Sequence, residues 1–326
     1  MNLRTPSAPE VLDAQQRLNG IAVRTPLLRS DALDEQLGLR LLVKAECLQH
    51  TGAFKFRGAY NCLAQLSPGT YPGGVVAYST GNHGQAIATV ARMLRLRATI
   101  VMPADAPRVK MAAAERQGAT VVTYDRQSER REAIAGEIAH RIGALVVPPG
   151  DHPDIITGQG TACLEALQDL APSTTVDAVV VPCGGGGLAA GTCLAVAAHG
   201  AQSAVWAAEP EAFDDTRRSL AAGERLVNAR LNGSICDALL APTPAELPFA
   251  INRRRLAGVL TATDSQVRAA MRLLFRELRL VAEPGGAMAL AALLAQPAQF
   301  AGKTVVALVS GGNVDPHVFV EALLAE

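Results

Sequence analysis

Several features that mark other classes of protein are scarce or absent in this sequence of 326 residues. Aromatic residues make up only 4% of the chain, which is too few for a surface on which nucleic-acid bases could stack. Basic and acidic residues number 30 each, so no overall positive charge attracts a nucleic acid or an anionic membrane. We therefore expect no nucleic-acid partner and no membrane partner.

Segments that direct a protein into or across a membrane are also missing. No run of about 20 apolar residues is present, as a membrane-spanning helix would require. The amino-terminal segment carries acidic residues and no apolar core, unlike a secretory signal. The six cysteines form no CxxC pair, and a chain of this length needs no disulfides. These absences predict a cytoplasmic protein with reduced cysteines.

Short apolar runs alternate with helix-like segments along most of the chain. The runs are rich in valine, isoleucine and leucine throughout, as expected for strands that are covered on both faces. The alternation predicts an α/β fold with doubly wound, mostly parallel sheets. The predicted strands are 41–46, 75–80, 98–103, 119–125, 144–149, 177–184, 204–210 and 304–311, and the predicted helices are 82–95, 107–117, 128–142, 187–199, 264–279 and 285–295.

This order of elements indicates two lobes. We predict a small domain at 51–149, with its core at about 75–147, and a large domain formed by 1–50 and 150–326. Active sites in such folds lie at the carboxyl ends of strands. The distinctive motifs of this chain follow strands, as that rule requires.

The first motif, TGAFKFRGA, places Lys55 between Phe54 and Phe56 at the start of a helix-like stretch. An amine packed among apolar groups has a lowered pKa and becomes nucleophilic, which suits Schiff-base chemistry. The alternative is a surface lysine whose stem lies along apolar groups. The chain has only four lysines, so lysine chemistry has few candidates.

The second motif, STGNHGQA, follows a strand and opens a helix at residues 79–86. Its backbone N–H groups and small polar side chains could surround a carboxylate or a phosphate. The alternative is an ordinary turn in which Asn82 caps the helix and His83 has a structural role.

The third motif has four consecutive glycines, Gly184 to Gly187, between a strand and a helix. Glycine allows the backbone to approach a phosphate closely, and the helix dipole favours an anion there. Gly184, Gly186 and Ala189 also match the outline of a dinucleotide site, with Glu209 at the end of the next strand. A nicotinamide-dependent oxidoreductase is therefore a remote alternative.

Acidic residues and a serine lie at the ends of later strands. Glu209, Asp214 and Asp215 could hold Mg²⁺ or Ca²⁺, or form a solvated turn that caps the next helix. Ser310 ends the last strand in VSGGNVD, and Glu283 precedes a Pro-Gly-Gly helix start, where it either points into a site or complements the helix. Zinc-ligand spacing, HExxH and G-x-S-x-G are absent from the sequence.

Taken together, the Lys55, Asn82, tetraglycine and Ser310 motifs resemble those of fold-type II pyridoxal-phosphate enzymes. The similarity is greatest to the branch of threonine and serine dehydratases and serine racemases, and it runs from about residue 20 to about residue 320. It implies the two-lobed fold of the tryptophan synthase β type, pyridoxal 5′-phosphate as cofactor, an amino-acid substrate and a homodimer.

The resemblance also implies roles for individual residues. Lys55 would carry the cofactor as a Schiff base and act as the catalytic base, and Thr80 occupies the position of the second base of serine racemases. The other cofactor-binding residues would be Phe54, Asn82, Gly184, Gly185, Gly186, Gly187 and Ser310, and the substrate-binding residues would be Ser79, Thr80, Gly81, His83 and Arg131. Glu209, Asp215 and the carbonyl of Phe213 match the divalent-cation site of racemase relatives, which binds Mg²⁺ or Ca²⁺.

The expected activity is that of an ammonia-lyase that converts an L-3-hydroxy amino acid to a 2-oxo acid and ammonia. The first candidates for the substrate are L-threonine and L-serine. The neutral hydroxyl of Ser310 does not stabilise a protonated pyridine as a carboxylate would, which favours loss of the β-hydroxyl over transamination. A serine or aspartate racemase and a hydroxyaspartate dehydratase are the alternatives within the same fold.

Overall fold

The computed structural model describes residues 4–67, 69–79, 81–106, 108–125, 128–230 and 232–325. Within them the strands are β1 (Leu27–Leu28), β2 (Arg40–Ala45), β3 (Val75–Tyr78), β4 (Ala98–Pro103), β5 (Thr120–Tyr124), β6 (Leu145–Val146), β7 (Ala178–Pro182), β8 (Ala204–Pro210), β9 (Leu256–Ala262) and β10 (Thr304–Val309). The helices are α1 (Pro9–Leu18), α2 (Asp31–Leu37), α3 (Lys55–Leu63), α4 (Asn82–Met93), α5 (Arg108–Arg116), α6 (Arg131–Ile142), α7 (Pro153–Gln168), α8 (Gly187–His199), α9 (Asp215–Ala222), α10 (Glu246–Arg255), α11 (Asp264–Leu278), α12 (Pro284–Ala295) and α13 (Pro316–Leu324).

The strands form two sheets. The larger sheet has the order β1-β2-β10-β7-β8-β9, and the smaller has the order β5-β4-β3-β6. Every pairing is parallel except that of β1 with β2. This confirms the predicted α/β class with mostly parallel sheets. Strands of the larger sheet come from both sides of the smaller sheet in sequence, while the domain boundaries at residues 50 and 150 stay a prediction.

Helices cover both faces of each sheet, which explains why the strands are apolar throughout. On the larger sheet, residues of α11 and α12 pack on one face and residues of α7 and α8 pack on the other. On the smaller sheet, α3 and α4 contribute to one cluster and α6 contributes to a second. No helix of the described ranges is long and apolar enough to cross a membrane.

The sequence pattern did not predict several elements. Helix α7 carries glycines and β-branched residues, and β9 carries a glycine, so neither has the local composition of its element. Helices α1, α2, α9, α10 and α13 were also missed. The strand predicted at 144–149 is shorter in the structure, where Leu145 and Val146 alone form β6 and pair with β3.

A buried ionic cluster joins three of these elements. The Arg57 guanidinium, on α3, donates to both oxygens of Glu46 and to both oxygens of Glu165 at 2.7–2.8 Å. Lys44, on β2, donates to Glu165 Oε2 at 3.1 Å. Because Arg57 lies two residues after Lys55, the cluster fixes the first turn of α3 against β2 and α7.

All six cysteines are free and buried. Burial raises the pKa of each of their thiols, so the thiolate form is disfavoured throughout.

Candidate active site

Lys55 is the first residue of α3 and is half-buried. Its Nζ donates to the carbonyl of Pro149 at 2.6 Å and lies 5.0 Å from the centre of the Phe54 ring. Burial lowers the pKa of Lys55 from 10.5 to about 8, because the surroundings solvate the ammonium poorly. A larger share of this amine is therefore neutral and nucleophilic near neutral pH than in an exposed lysine.

The segment before Lys55 pairs with the end of β10. The Phe54 N–H donates to the Ser310 carbonyl at 3.0 Å, and Ala53 forms an antiparallel bridge with Gly311. Ser310 directly follows β10 and is 5% exposed. Two motifs that are far apart in sequence therefore meet at the edge of the larger sheet that is formed by the carboxyl ends of its parallel strands.

Asn82 begins α4, and its amide is held from two sides. Its Nδ2 donates to Glu283 Oε1 at 2.6 Å, and its Oδ1 accepts from Asn313 Nδ2 at 2.8 Å. Asn313 also donates to the Thr51 carbonyl at 2.7 Å. These partners fix which end of the amide is the donor. Since an amide nitrogen carries two N–H groups, Asn82 has a second one to offer.

The first turn of α4 holds a neutral histidine. His83 is buried, and its Nε2 donates to the Val147 carbonyl at 2.9 Å. Burial, and next the charge of Lys55, lower the pKa of His83 to about 3. Ser79 Oγ accepts from the Gly81 N–H at 3.2 Å. Thr80, the predicted second base, lies outside the described residues.

The four glycines follow β7 after Cys183, and the last of them is the first residue of α8. Gly186 has φ +88°, and a Cβ there would lie 2.8 Å from Asn252 Nδ2, so a side chain is disfavoured by the backbone conformation and would displace the Asn252 amide. Asn252 Nδ2 donates to the Gly186 carbonyl at 3.2 Å, and the Ala245 N–H donates to the Gly185 carbonyl at 3.1 Å. The loop is thus fixed at the amino terminus of a thirteen-residue helix, where anions bind favourably.

Arg131 begins α6 beside the end of β3. Its guanidinium carbon lies 5.4 Å from the centre of the Tyr78 ring, and its Nε donates to Glu132 Oε1 at 2.9 Å. Tyr78 is followed by Ser79. A cation therefore lies close to the loop that leads into α4.

The acidic group at the end of β8 forms a capping arrangement. The two oxygens of Glu209 accept the backbone N–H groups of Thr216 and Arg217, each at 3.0 Å. Asp215 Oδ1 accepts from Asn228 Nδ2 at 2.7 Å, and its Oδ2 is buried without a partner in the described ranges. Phe213 lies in the short turn between them. Burial raises the pKa of both carboxyls, to about 8 for Glu209 and to about 6 for Asp215.

Four residues of this region have contacts that sequence reasoning did not assign. They are Pro149, which accepts from Lys55; Asn313 and Glu283, which hold Asn82; and Asn252, which holds Gly186. Asn313 belongs to the SGGNVD motif, and Glu283 precedes a helix, so both carried a local signal. Pro149 and Asn252 carried none, because their role depends on tertiary contact.

Comparison with known proteins identifies relatives over nearly the whole chain. The model of the family described as pyridoxal-phosphate dependent enzyme matches residues 19–311. The chain is 41% identical over 314 residues to L-threo-3-hydroxyaspartate ammonia-lyase from a Pseudomonas species, covering 96% of this chain and 97% of that protein. It is 36% identical to serine racemase from Schizosaccharomyces pombe, covering 96% of each. The solved structure of threonine deaminase from T.th. is similar with a TM-score of 0.89 at 41% identity, covering 95% of this chain and 99% of that one.

The residues at this edge of the sheet fit the group that gives the family its name. An aldehyde needs a buried amine of lowered pKa, which Lys55 supplies. A phosphate needs a closely approached backbone at a helix amino terminus, which the loop before α8 supplies because its four consecutive glycines carry no side chains. The amide of Asn82 and the hydroxyl of Ser310 complete a set of donors for a polar ring.

Proposed function

The chain belongs to the family of pyridoxal-phosphate-dependent enzymes, and from this premise we propose that it is an ammonia-lyase for L-threo-3-hydroxyaspartate. The products are oxaloacetate and ammonia. The similarity to a relative of that name, at 41% identity over 314 residues, supports this substrate. The proposal replaces L-threonine and L-serine, which the sequence motifs favoured, as the first choice.

The observation that carries the proposal is the position of Arg131. Hydroxyaspartate differs from serine and threonine by a second carboxylate, which needs a second cation when it is desolvated. The Arg131 guanidinium lies against Tyr78, next to the loop from Ser79 to His83 that we propose receives the first carboxylate. A guanidinium binds a carboxylate through two parallel hydrogen bonds. Serine and threonine offer no group for this contact.

Four groups of residues would hold the cofactor. Lys55 would bind its aldehyde carbon, the loop from Gly184 to Gly187 its phosphate, Asn82 its 3′-oxygen and Ser310 its ring nitrogen, with Phe54 beside the ring. When bound, pyridoxal phosphate supplies an electron sink that makes the α-proton of an amino acid acidic.

The residues of the chain would carry out the remaining steps, which are proton transfer and binding of the substrate. The Lys55 amine, with its pKa of about 8, is a base suited to remove the α-proton near neutral pH. The proton it takes up is the one that the departing β-hydroxyl needs, so Lys55 serves both steps. His83 is neutral and buried, which leaves the positive charge at the substrate to Arg131.

A substrate panel with a matched pair of variants tests the proposal. L-threo-3-hydroxyaspartate, L-threonine and L-serine are each incubated with the holoenzyme, and 2-oxo acid and ammonia are measured. For Arg131→Gln we expect kcat/KM for hydroxyaspartate to fall about 10- to 150-fold, since a hydrogen bond to a charged group contributes about 1.5–3 kcal/mol. Activity on L-serine should change little. Arg130→Gln removes the adjacent, exposed guanidinium and should leave both rates unchanged.

Turnover of L-serine or L-threonine with none of hydroxyaspartate would overturn the choice of substrate. Absence of product from every member would remove the lyase. Serine racemase activity is the second candidate, favoured by the S. pombe relative, and chiral chromatography of L-serine and L-aspartate after incubation detects it. Unchanged enantiomer ratios exclude that candidate.

Two further expectations belong to this proposal. We propose that Mg²⁺ or Ca²⁺ binds at Glu209, Asp215 and the Phe213 carbonyl, because oxygen ligands suit hard cations and Asp215 Oδ2 is buried without a partner in the described ranges. Calorimetric titration with Ca²⁺, compared between the unaltered protein and Glu209→Gln, tests it, and equal binding contradicts it. We also propose a homodimer, which light scattering of the purified protein tests.

A further inference from the structure

Three side chains with different metal-binding atoms meet where the end of α3 packs against the start of α7. Cys62 lies near the end of α3, His152 precedes α7 as its amino-terminal cap, and Asp154 is in its first turn. Cys62 Sγ lies 3.9 Å from His152 Nδ1, which lies 3.8 Å from Asp154 Oδ2. In the described part of the chain this is the one group of three such residues whose ligand atoms all lie within 4.8 Å of one another.

We propose that these three residues bind a soft divalent cation of the Zn²⁺ type. One thiolate, one imidazole nitrogen and one carboxylate form a donor set that suits Zn²⁺ and is poorly matched to Mg²⁺ or Ca²⁺, which prefer oxygen alone. The separations of 3.9 and 3.8 Å are those of ligands around one tetrahedral ion after a small contraction. Three protein ligands leave a fourth position for water.

The surroundings allow an ion to enter and to displace the hydrogen bond that His152 Nδ1 accepts. The Asp154 side chain is 31% exposed and that of His152 is 14% exposed, while Cys62 lies at the closed end. Binding releases the Cys62 thiol proton to water. The ion also replaces the Asp154 N–H, which donates to His152 Nδ1 at 3.2 Å. Pro153, the first residue of α7, has no N–H to leave unsatisfied, so a single capping bond is exchanged for three metal bonds.

A thiol–imidazole catalytic pair is a poorer interpretation of the same residues. A catalytic triad needs the thiol and the carboxylate on opposite nitrogens of the imidazole ring. Here Cys62 and Asp154 both face Nδ1. That convergence on one nitrogen is the arrangement of ligands around a single ion.

The ion would tie together two segments that meet at Lys55. Helix α3 begins with Lys55, and the Pro149 carbonyl that accepts from Lys55 lies three residues before His152. A cation between Cys62 and His152 therefore links α3 to the start of α7 without touching the proposed active site. The inference is independent of the substrate proposed above.

Cobalt is a spectroscopic probe for such a site, and the holoenzyme is the sample. Co²⁺ added to dialysed holoenzyme should give visible d–d bands and a near-ultraviolet thiolate charge-transfer band that saturate at one equivalent and disappear when Zn²⁺ is added. Cys62→Ala should abolish the charge-transfer band. Cys163→Ala, which removes another fully buried thiol from α7, should retain it.

A second variant separates metal binding from folding. His152→Asn keeps a good amino-terminal cap for α7 but removes the imidazole, so we expect a melting temperature close to that of the unaltered protein and Co²⁺ affinity weakened about tenfold or more. Absence of the thiolate band from the unaltered holoenzyme, an equal band in Cys62→Ala, or unchanged affinity in His152→Asn would each overturn the proposal.

Discussion

The amine of Lys55 is neutral over a pH range in which an exposed lysine is charged, because burial lowers its pKa from 10.5 to about 8. The neutral form attacks an aldehyde. We therefore predict that the rate at which pyridoxal phosphate attaches to the apoprotein rises with pH and levels off above about 8. Stopped-flow absorbance over a series of pH values measures this rate, and a midpoint near 10.5 would contradict the burial of the amine.

Glu283 contacts Asn82, and we expect its role to be orientation of that amide. Without its carboxylate, which accepts from Asn82 Nδ2 at 2.6 Å, the amide is free to turn its oxygen toward the cofactor. For Glu283→Ala we predict a kcat about tenfold lower and a shifted absorbance maximum of the bound cofactor, since a hydrogen bond to a charged group contributes about 1.5–3 kcal/mol.

Glu283→Gln is the matched control, because its side-chain oxygen still accepts from Asn82. It should restore most of the activity and the original absorbance maximum. If both variants behave alike, orientation of the amide is not the role of Glu283.

At the scale of the element, a side chain at Gly186 is expected to disturb the loop before α8. Gly186 has φ +88° and Gly200, at the other end of α8, has φ +76°, but only Gly186 is closely approached by another side chain. We predict that alanine at either position costs about 1 kcal/mol of unfolding free energy. Only Gly186→Ala should also weaken cofactor binding, as measured by fluorescence titration of the apoprotein. Equal loss of cofactor affinity in Gly200→Ala would contradict this.

Elements with a local signal were predicted from the sequence, and those formed by packing were not. Helix α8 ends before Gly200, because a glycine signal acts within a few residues. Helix α4 begins at Asn82 as predicted, but the Asn82 side chain does not cap it. Helix α7 contains Gly160, which packs so closely against Gly191 of α8 that a Cβ on either would collide with the facing backbone. Such a residue weakens a helix in isolation and is explained only by its neighbour.

The residues of the candidate site also divide into those with a local sequence signal and those that depend on tertiary contacts. Lys55, Asn82, the four glycines and Ser310 were found because each follows a strand and carries a local motif. Asn82 and Glu283 are 201 residues apart in the sequence, so no local sequence pattern predicts their contact. The cysteine, histidine and aspartate of the proposed zinc site were missed for the same reason, since Cys62 and His152 are 90 residues apart.

At the scale of the whole molecule, the ionic cluster around Arg57 makes the two sheets depend on each other. Arg57→Met leaves the carboxylates of Glu46 and Glu165 buried with Lys44 as the one remaining cation that pairs with Glu165 in the described ranges. We predict a loss of about 3–5 kcal/mol in unfolding free energy, measured by urea denaturation. Arg4→Met, which breaks the exposed pair with Glu10, should cost about 0–1 kcal/mol. Similar values for both would mean that the cluster adds no stability.

The six buried thiols are spread over the hydrophobic clusters of both sheets. An alkylating reagent in solution can therefore reach each one only while the part of the protein around it is open. The order in which the six thiols are alkylated therefore gives the order in which the hydrophobic clusters around them open.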